Sequence, residues 1–166
     1  ARHEFALEVE TPPALEEAKR QLAEVQAEAD AEIAAARQSA GEQAVDEALV
    51  LSWFTARRLR NAQALVAALE RGERDLRIPV ETQALGIGDC AIAATPGEVF
   101  VNIGKVIAER SPFAFTIPIS HANGAPGYIS TRDQVPLGGY EIERARANRY
   151  GLPIVPDSDQ TLIEGA

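Results

Sequence analysis

The chain has 166 residues, 46% of them hydrophobic, enough for one domain of ordinary size with a buried core. Its 25 acidic residues outnumber 16 basic ones, and the net charge of -9 repels a phosphate backbone, which argues against nucleic acid as a partner. No apolar run approaches the roughly 20 residues a membrane helix requires, and the N-terminus lacks a basic-then-apolar signal pattern, so a soluble segment is expected, with a cytoplasmic location favoured.

"TPPALEEAKRQLAEVQAEADAEIAAARQ" opens with Thr11 as a candidate N-cap and Pro12 at the first helical position, followed by acids. Leu15, Ala18, Leu22, Val25, Ala29 and Ile33 then recur at three- and four-residue steps, one narrow apolar seam that calls for a partner helix. Ser39 and Gly41 in "QSAGEQ" mark the break. A second helix is expected from about Glu42 to Arg71, acidic early and basic late, with Gly72 placed to close it. Its stripe is Val45, Leu49, Ala56, Leu59, Ala62, Val66 and Leu69, and "LVLSWF" adds Trp53 and Phe54, whose expected role is core packing. The two helices read as an antiparallel hairpin, a possible route to homo-oligomers, with Glu-rich faces left to solvent.

From Gly72 onward the periodicity changes. "RIPVETQALGIGDCAIAAT" reads as two strands around a turn at Gly86 to Asp89. Cys90, the only cysteine, excludes an internal disulfide and suits a small buried hydrophobe. "EVFVNIGKVIAER" returns to helical spacing, and Glu98, after Pro96-Gly97, would sit where a helix dipole favours an acid. That account suffices from local sequence, though a carboxylate following a tight turn at a strand end is also a candidate metal ligand. "SPFAFTIPIS" is a strand that Pro118 keeps from the middle of a sheet. "HANGAPG" is a loop by composition, with His121 either a hydrogen-bonding surface residue or a metal ligand. "YIST" is a short extended segment in which Tyr128 could plug a sheet edge, and the tail is irregular to weakly helical.

No P-loop, nucleophile elbow, His-Glu-x-x-His or dinucleotide fingerprint occurs. With only His3 and His121, a Ser-His-Asp triad has little material. Met is absent, including at position 1, as expected of a processed start or a piece of a longer protein.

Taken in order, "IPVETQALGIGDCAIAATPGEVFVNIGKVIAERSPF", "ISHANGAPGYISTR" and "GGYE" resemble the C-terminal part of the catalytic domain of the neutral ceramidase family and its bacterial relatives, over about Arg77 to Glu141. The resemblance implies zinc held by two upstream histidines, by a Pro-Gly-Glu glutamate that falls on Glu98, and by a tyrosine that falls on Tyr128. It implies amide hydrolysis of an N-acyl lipid by zinc-activated water. Neither upstream histidine segment nor the family's catalytic serine segment is present, so the upstream part of the same protein becomes an expected partner and this chain alone is expected to be inactive. Ceramidases proper place Phe-Thr-Thr after the glutamate, where Val99, Phe100 and Val101 stand here, and Ala125, Pro126 and Gly127 replace their aromatic and histidine residues before the tyrosine.

The expected fold is therefore α+β, a fragment of an α/β catalytic domain, with a helical hairpin region over residues 1–76 and an α/β part over residues 77–166. The alternative to a hydrolase fragment is a non-catalytic helical interaction module in which Glu98 only caps a helix.

Overall fold

The computed structural model describes residues 1–40, 46, 50–143 and 148–166. It is an α+β chain in two compact units, one of residues 12–74 and 149–151, the other of residues 1–11, 75–148 and 152–166. Among the described residues no helix is long and apolar enough to cross a membrane.

The first unit holds helices α1 (Leu15–Ala40) and α2 (Trp53–Glu70). α1 begins at Leu15, not Pro12. Pro13 disfavours the helical conformation for the residue before it, so the turn can start only beyond the second proline. The seam is as expected: Ala18, Val25 and Ala29 are buried, with Leu15, Leu22 and Ile33 half-buried beside them. The antiparallel sense follows from the ion pairs, since Lys19 meets Glu70 while Glu28 meets Arg58. Each such exposed pair contributes only about 0–1 kcal/mol.

α2 starts at Trp53 after Ser52, whose extended backbone interrupts the long helix expected from Glu42; Val45 and Leu49 lie outside the described residues. The Ser52 hydroxyl accepts from the Thr55 N–H. In a capping box the third helical residue would take the N-cap N–H, but Thr55 carries no carboxylate. Glu32 of α1 does it instead, accepting from the Ser52 N–H at 2.8 Å and from the Thr55 hydroxyl at 2.5 Å. These bonds, the Thr55 hydroxyl first, hold the Glu32 carboxyl below its ordinary range.

The far end of α2 closes as expected on Gly72, at φ 81°, with Glu73 N–H to Ala68 O and Gly72 N–H to Leu69 O, the two bonds of a Schellman motif. Trp53 and Phe54 are not core. They are 61% and 46% exposed in the first turn, edge to face, with the Arg57 guanidinium 4.3 Å from the Trp53 ring centre.

The second unit is built on a four-stranded sheet. The strands are β1 (Arg2–Glu8), β2 (Arg77–Ile87), β3 (Cys90–Ala94) and β5 (Phe115–Ile119), adjacent in that order. β1 was not anticipated, because "RHEFALE" is short and holds only three apolar residues, Phe5, Ala6 and Leu7; it pairs antiparallel along β2 from Arg2↔Gln83 to Glu8↔Arg77. The β2–β3 hairpin turns on Gly88-Asp89 alone, with Gly86 and Ile87 still in strand. Gly88 at φ 59° is the first central residue, the position a type II′ turn gives to glycine. β5 runs parallel to β3 at the sheet's edge, where Pro118 belongs.

The crossover between β3 and β5 contains β4 (Glu98–Val99) and α3 (Val101–Arg110). Ile103 and Ile107 of α3 are buried, as are Leu162 and Ile163 of α5 (Ser158–Gly165), so the tail expected to be weakly helical supplies core. Along β2 one face carries the buried Ile78, Val80 and Thr82. The opposite face changes character along its length: near β1 it is salt-bridged through Arg2, Glu81, Arg77 and Glu8. Further on it carries Leu85, Ile87, Phe115 and Ile117, all more than half exposed, with Cys90 half-buried among them rather than sunk in the core.

Candidate functional site

Pro96-Gly97 ends β3 in a turn that tolerates only glycine at its second position. Gly97 has φ 69°, and a Cβ there would lie 2.6 Å from the Gly127 carbonyl oxygen. That close approach seats the loop of residues 120–127 against the turn. Gly97 N–H bonds to Gly124 O, His121 N–H to Gly97 O and Ala122 N–H to Thr95 O. Two non-glycine residues of this loop, His121 at φ 58° and Asn123 at φ 59°, sit in the left-handed region, strained conformations that the bonds to the turn hold in place.

Glu98 follows the turn, but it does not start a helix. It lies in β4, and α3 begins three residues later with Phe100 at its N-cap and no side-chain cap. The dipole account of an acid at this point is thus overturned: the Val99-Phe100 segment remains extended because the Glu98 and Phe100 N–H groups bond to Gly127 O and Ile129 O. Those bonds form a two-stranded parallel ladder with β6 (Tyr128–Ile129), in register Glu98↔Tyr128 and Val99↔Ile129. Ile129 is 1% exposed and anchors the ladder in the core, while Glu98 and Tyr128 point together to the half-exposed side.

Residues thirty positions apart in sequence are therefore direct neighbours. Interaction with the Glu98 carboxylate across the ladder, partial desolvation and the negative charge of Glu98 and Glu141 push the Tyr128 phenol up to about 12. His121 brings its Nε2 to 3.8 Å from Glu98 Oε2, the two side chains being 55% and 38% exposed. His3 takes no part; its Nδ1 lies 3.3 Å from the Gly165 carbonyl.

Two further residues belong to this surface and were assigned no role from sequence, although both stand in the quoted "GGYE". Tyr140, at the start of α4 (Tyr140–Glu143), packs edge to face against Tyr128 with ring centres 6.5 Å apart. Glu141 lines, with Tyr128, Glu10, Ile142 and Pro153, a pocket of about 130 Å³. Among the described residues no group of three His, Cys, Asp or Glu side chains is placed to hold a metal. A donor set counting Tyr128 comprises one carboxylate, one phenol and one imidazole, a nitrogen and oxygen set of the kind zinc accepts.

What the fold and cluster define is an α+β segment presenting an anionic Glu-Tyr patch with a histidine at its rim. No protein-family model matches the sequence, and no curated protein does so significantly. Among solved structures it is similar to the neutral ceramidase from Pseudomonas aeruginosa, at 17% identity and a TM-score of 0.39, over 53% of this chain and 14% of that one. It is similar in the same degree to a ceramidase complexed with C2, over 53% of this chain and 13% of that one. The chain thus spans about one-seventh of these proteins. Likeness that faint leaves the chemistry to be argued from the side chains.

Proposed function

We propose that this chain is the C-terminal part of a ceramidase-like, zinc-dependent amidohydrolase acting on an N-acyl lipid or similar linear amide, with Glu98 and Tyr128 contributed to the metal. The observation that carries the reading is the register Glu98↔Tyr128. The two residues that the ordered motifs single out as ligands are side by side on one ladder.

Zinc, when bound, supplies Lewis acidity toward an amide carbonyl and lowers the barrier to attack by water. The chain's own residues do the rest. The glycine-tight turn fixes the Glu98 backbone and the buried Ile129 fixes that of Tyr128, so the carboxylate and the phenol would hold a cation side by side. Glu141 deepens the negative field at Tyr128, favouring a cation over an anion there. Two donors do not make the three-ligand set of a catalytic zinc, so the upstream part of the same protein is the partner that completes the enzyme, and this chain alone is inactive.

The reading is tested by the metal content of the protein carrying this chain, purified after exposure to zinc, for the natural sequence and for Glu98→Ala and Tyr128→Phe. The expected result is loss of bound zinc in both variants. Unchanged metal content would overturn it, as would hydrolysis of an N-acyl amine by this chain alone that survives Glu98→Gln.

A further inference from the structure

We infer that the outer face of the sheet, at its β3–β5 end, is the surface through which two copies of this chain pair face to face. The inference goes beyond the proposed hydrolase and uses neither Glu98 nor Tyr128. It starts from an apolar patch that the strand registers assemble in rows, Leu85 beside Ile92 beside Ile117, and Ile87 beside Cys90 beside Phe115. No charged residue interrupts it. Leu85, Ile87, Phe115, Ile117 and Ile119 are between 42% and 74% exposed. Together they leave roughly 600 Å² of apolar surface open to water, the upper end of what an ordinary monomer shows. A standard interface takes about 800 Å² from each partner, and about two-thirds of it is apolar in homodimers. The patch supplies that apolar share.

The patch has a polar border on the same face. Toward β1 the sheet carries the Arg2–Glu81 and Arg77–Glu8 ion pairs. An apolar centre with a polar rim is the anatomy of a contact between separately folded surfaces, whereas a further layer laid across the whole sheet would bury the ion pairs as well. The free edge of β5, in turn, is closed to strand addition. The Phe115 N–H bonds to Asp89 O and the Ile119 carbonyl accepts from the Thr95 N–H, so the odd residues of β5 turn their backbone groups to β3 while Thr116 and Pro118 turn theirs outward. Pro118 has no N–H to offer there, which blunts the edge. A partner meets the face.

An uncharged, flat face is its own complement. Under a two-fold axis each patch meets its own copy, sheet stacks on sheet at about 10 Å, and no unpaired charge is buried. The net charge of -9 on each copy opposes the approach, so the pair is expected to tighten as salt screens that repulsion.

The experiment is sedimentation equilibrium of the chain over a range of concentrations, at low and high salt, for the natural sequence, Phe115→Lys, Ile87→Lys and Trp53→Ala. Phe115 and Ile87 are the most exposed members of the patch, so a lysine at either changes the folded monomer little, and thermal melting checks this. Phe115→Thr, which keeps a strand-favouring residue, replaces a lysine variant that fails to fold. We expect the natural chain to dimerise, more tightly at high salt, both patch variants to dimerise at least about 30-fold more weakly, and Trp53→Ala to behave like the natural chain. Cys90, half-buried within the patch, gives a second readout: its modification by a thiol reagent should slow as the natural chain is concentrated, and not in the patch variants. A natural chain that stays monomeric up to its solubility limit would overturn the inference. So would dimers that survive both lysines, or dimers that Trp53→Ala dissolves, which would move the contact to the hairpin. Cys90 protected at every dilution in a longer protein carrying this chain would assign the face to the upstream part and overturn it too. None of these outcomes bears on zinc at Glu98 and Tyr128.

Discussion

Gly97→Ala tests the foundation of the site, because everything about Glu98 depends on how closely the turn meets the 120–127 loop. Two terms add. An alanine held at φ 69° costs about 1–2 kcal/mol from its Cβ alone. That Cβ would stand 2.6 Å from the Gly127 carbonyl and 3.1 Å from Pro126, and backbone oxygen in a ladder does not rotate aside as a side chain would. Relief requires the Gly97–Gly124 or Glu98–Gly127 bond to open, another about 0.5–1.5 kcal/mol each. With one bond opened the sum is about 1.5–3.5 kcal/mol. Gly88→Ala is the control: its φ of 59° is positive too, but nothing lies within 4 Å of its added Cβ, so it carries a backbone term without the close approach. Urea unfolding of the two variants gives the difference directly, and amide exchange at Glu98 reports whether the loss is local to the ladder. Equal destabilisation by the two alanines would refute the close approach, and with it the fixed placement of Glu98 beside Tyr128.

Leu162→Ala, at a fully buried position of α5, should cost about 2–5 kcal/mol, whereas Leu137→Ala, 74% exposed, should stay within about 0.5 kcal/mol; denaturant midpoints of the pair test whether the tail is core. The hairpin should weaken in acid. Glu32 has its folded-state value depressed below 4.5, so its contribution is complete above that pH and is lost as pH falls through the lowered value. Helical circular dichroism of Glu32→Gln against the natural chain between neutral and acid pH measures it, the variant lacking that limb of the curve. Trp53 is the only tryptophan, so its emission should be red-shifted and readily quenched by acrylamide; blue, protected emission would restore the core packing that its sequence context suggests.

The helices were legible because their information is local. α1 carries its seam at every turn, and Gly72 announces the end of α2 from a single residue. What was not legible depends on partners distant in the chain. The alternation in "RHEFALE", Arg2, Glu4 and Glu8 against Phe5 and Leu7, is a short strand signal, and β1 is completed by the edge that β2 offers over seven residue pairs. The expected unbroken helix is interrupted at Ser52 by a cap whose decisive carboxylate, Glu32, belongs to another helix. Trp53 and Phe54 read as core because apolar content was counted without knowing that Ser52 would end the preceding turn and expose them. The Pro118 edge assignment succeeded for the complementary reason: a missing N–H is a property of one residue, wherever the strand lies.

The site shows the same division with a consequence for how Glu98 should be understood. Local sequence offered a helix dipole as sufficient cause for an acid after Pro96-Gly97, and that cause is absent, since the dipole begins at Val101 and Glu98 is committed to strand. A half-exposed carboxylate whose near partner is an equally solvent-open imidazole gains little for folding. The surrounding backbone, by contrast, carries costs: positive φ at His121 and Asn123, and a turn closed so tightly that only glycine fits. On the proposed reading, that strain goes into holding Glu98 and Tyr128 side by side at the surface, where packing gains nothing from them.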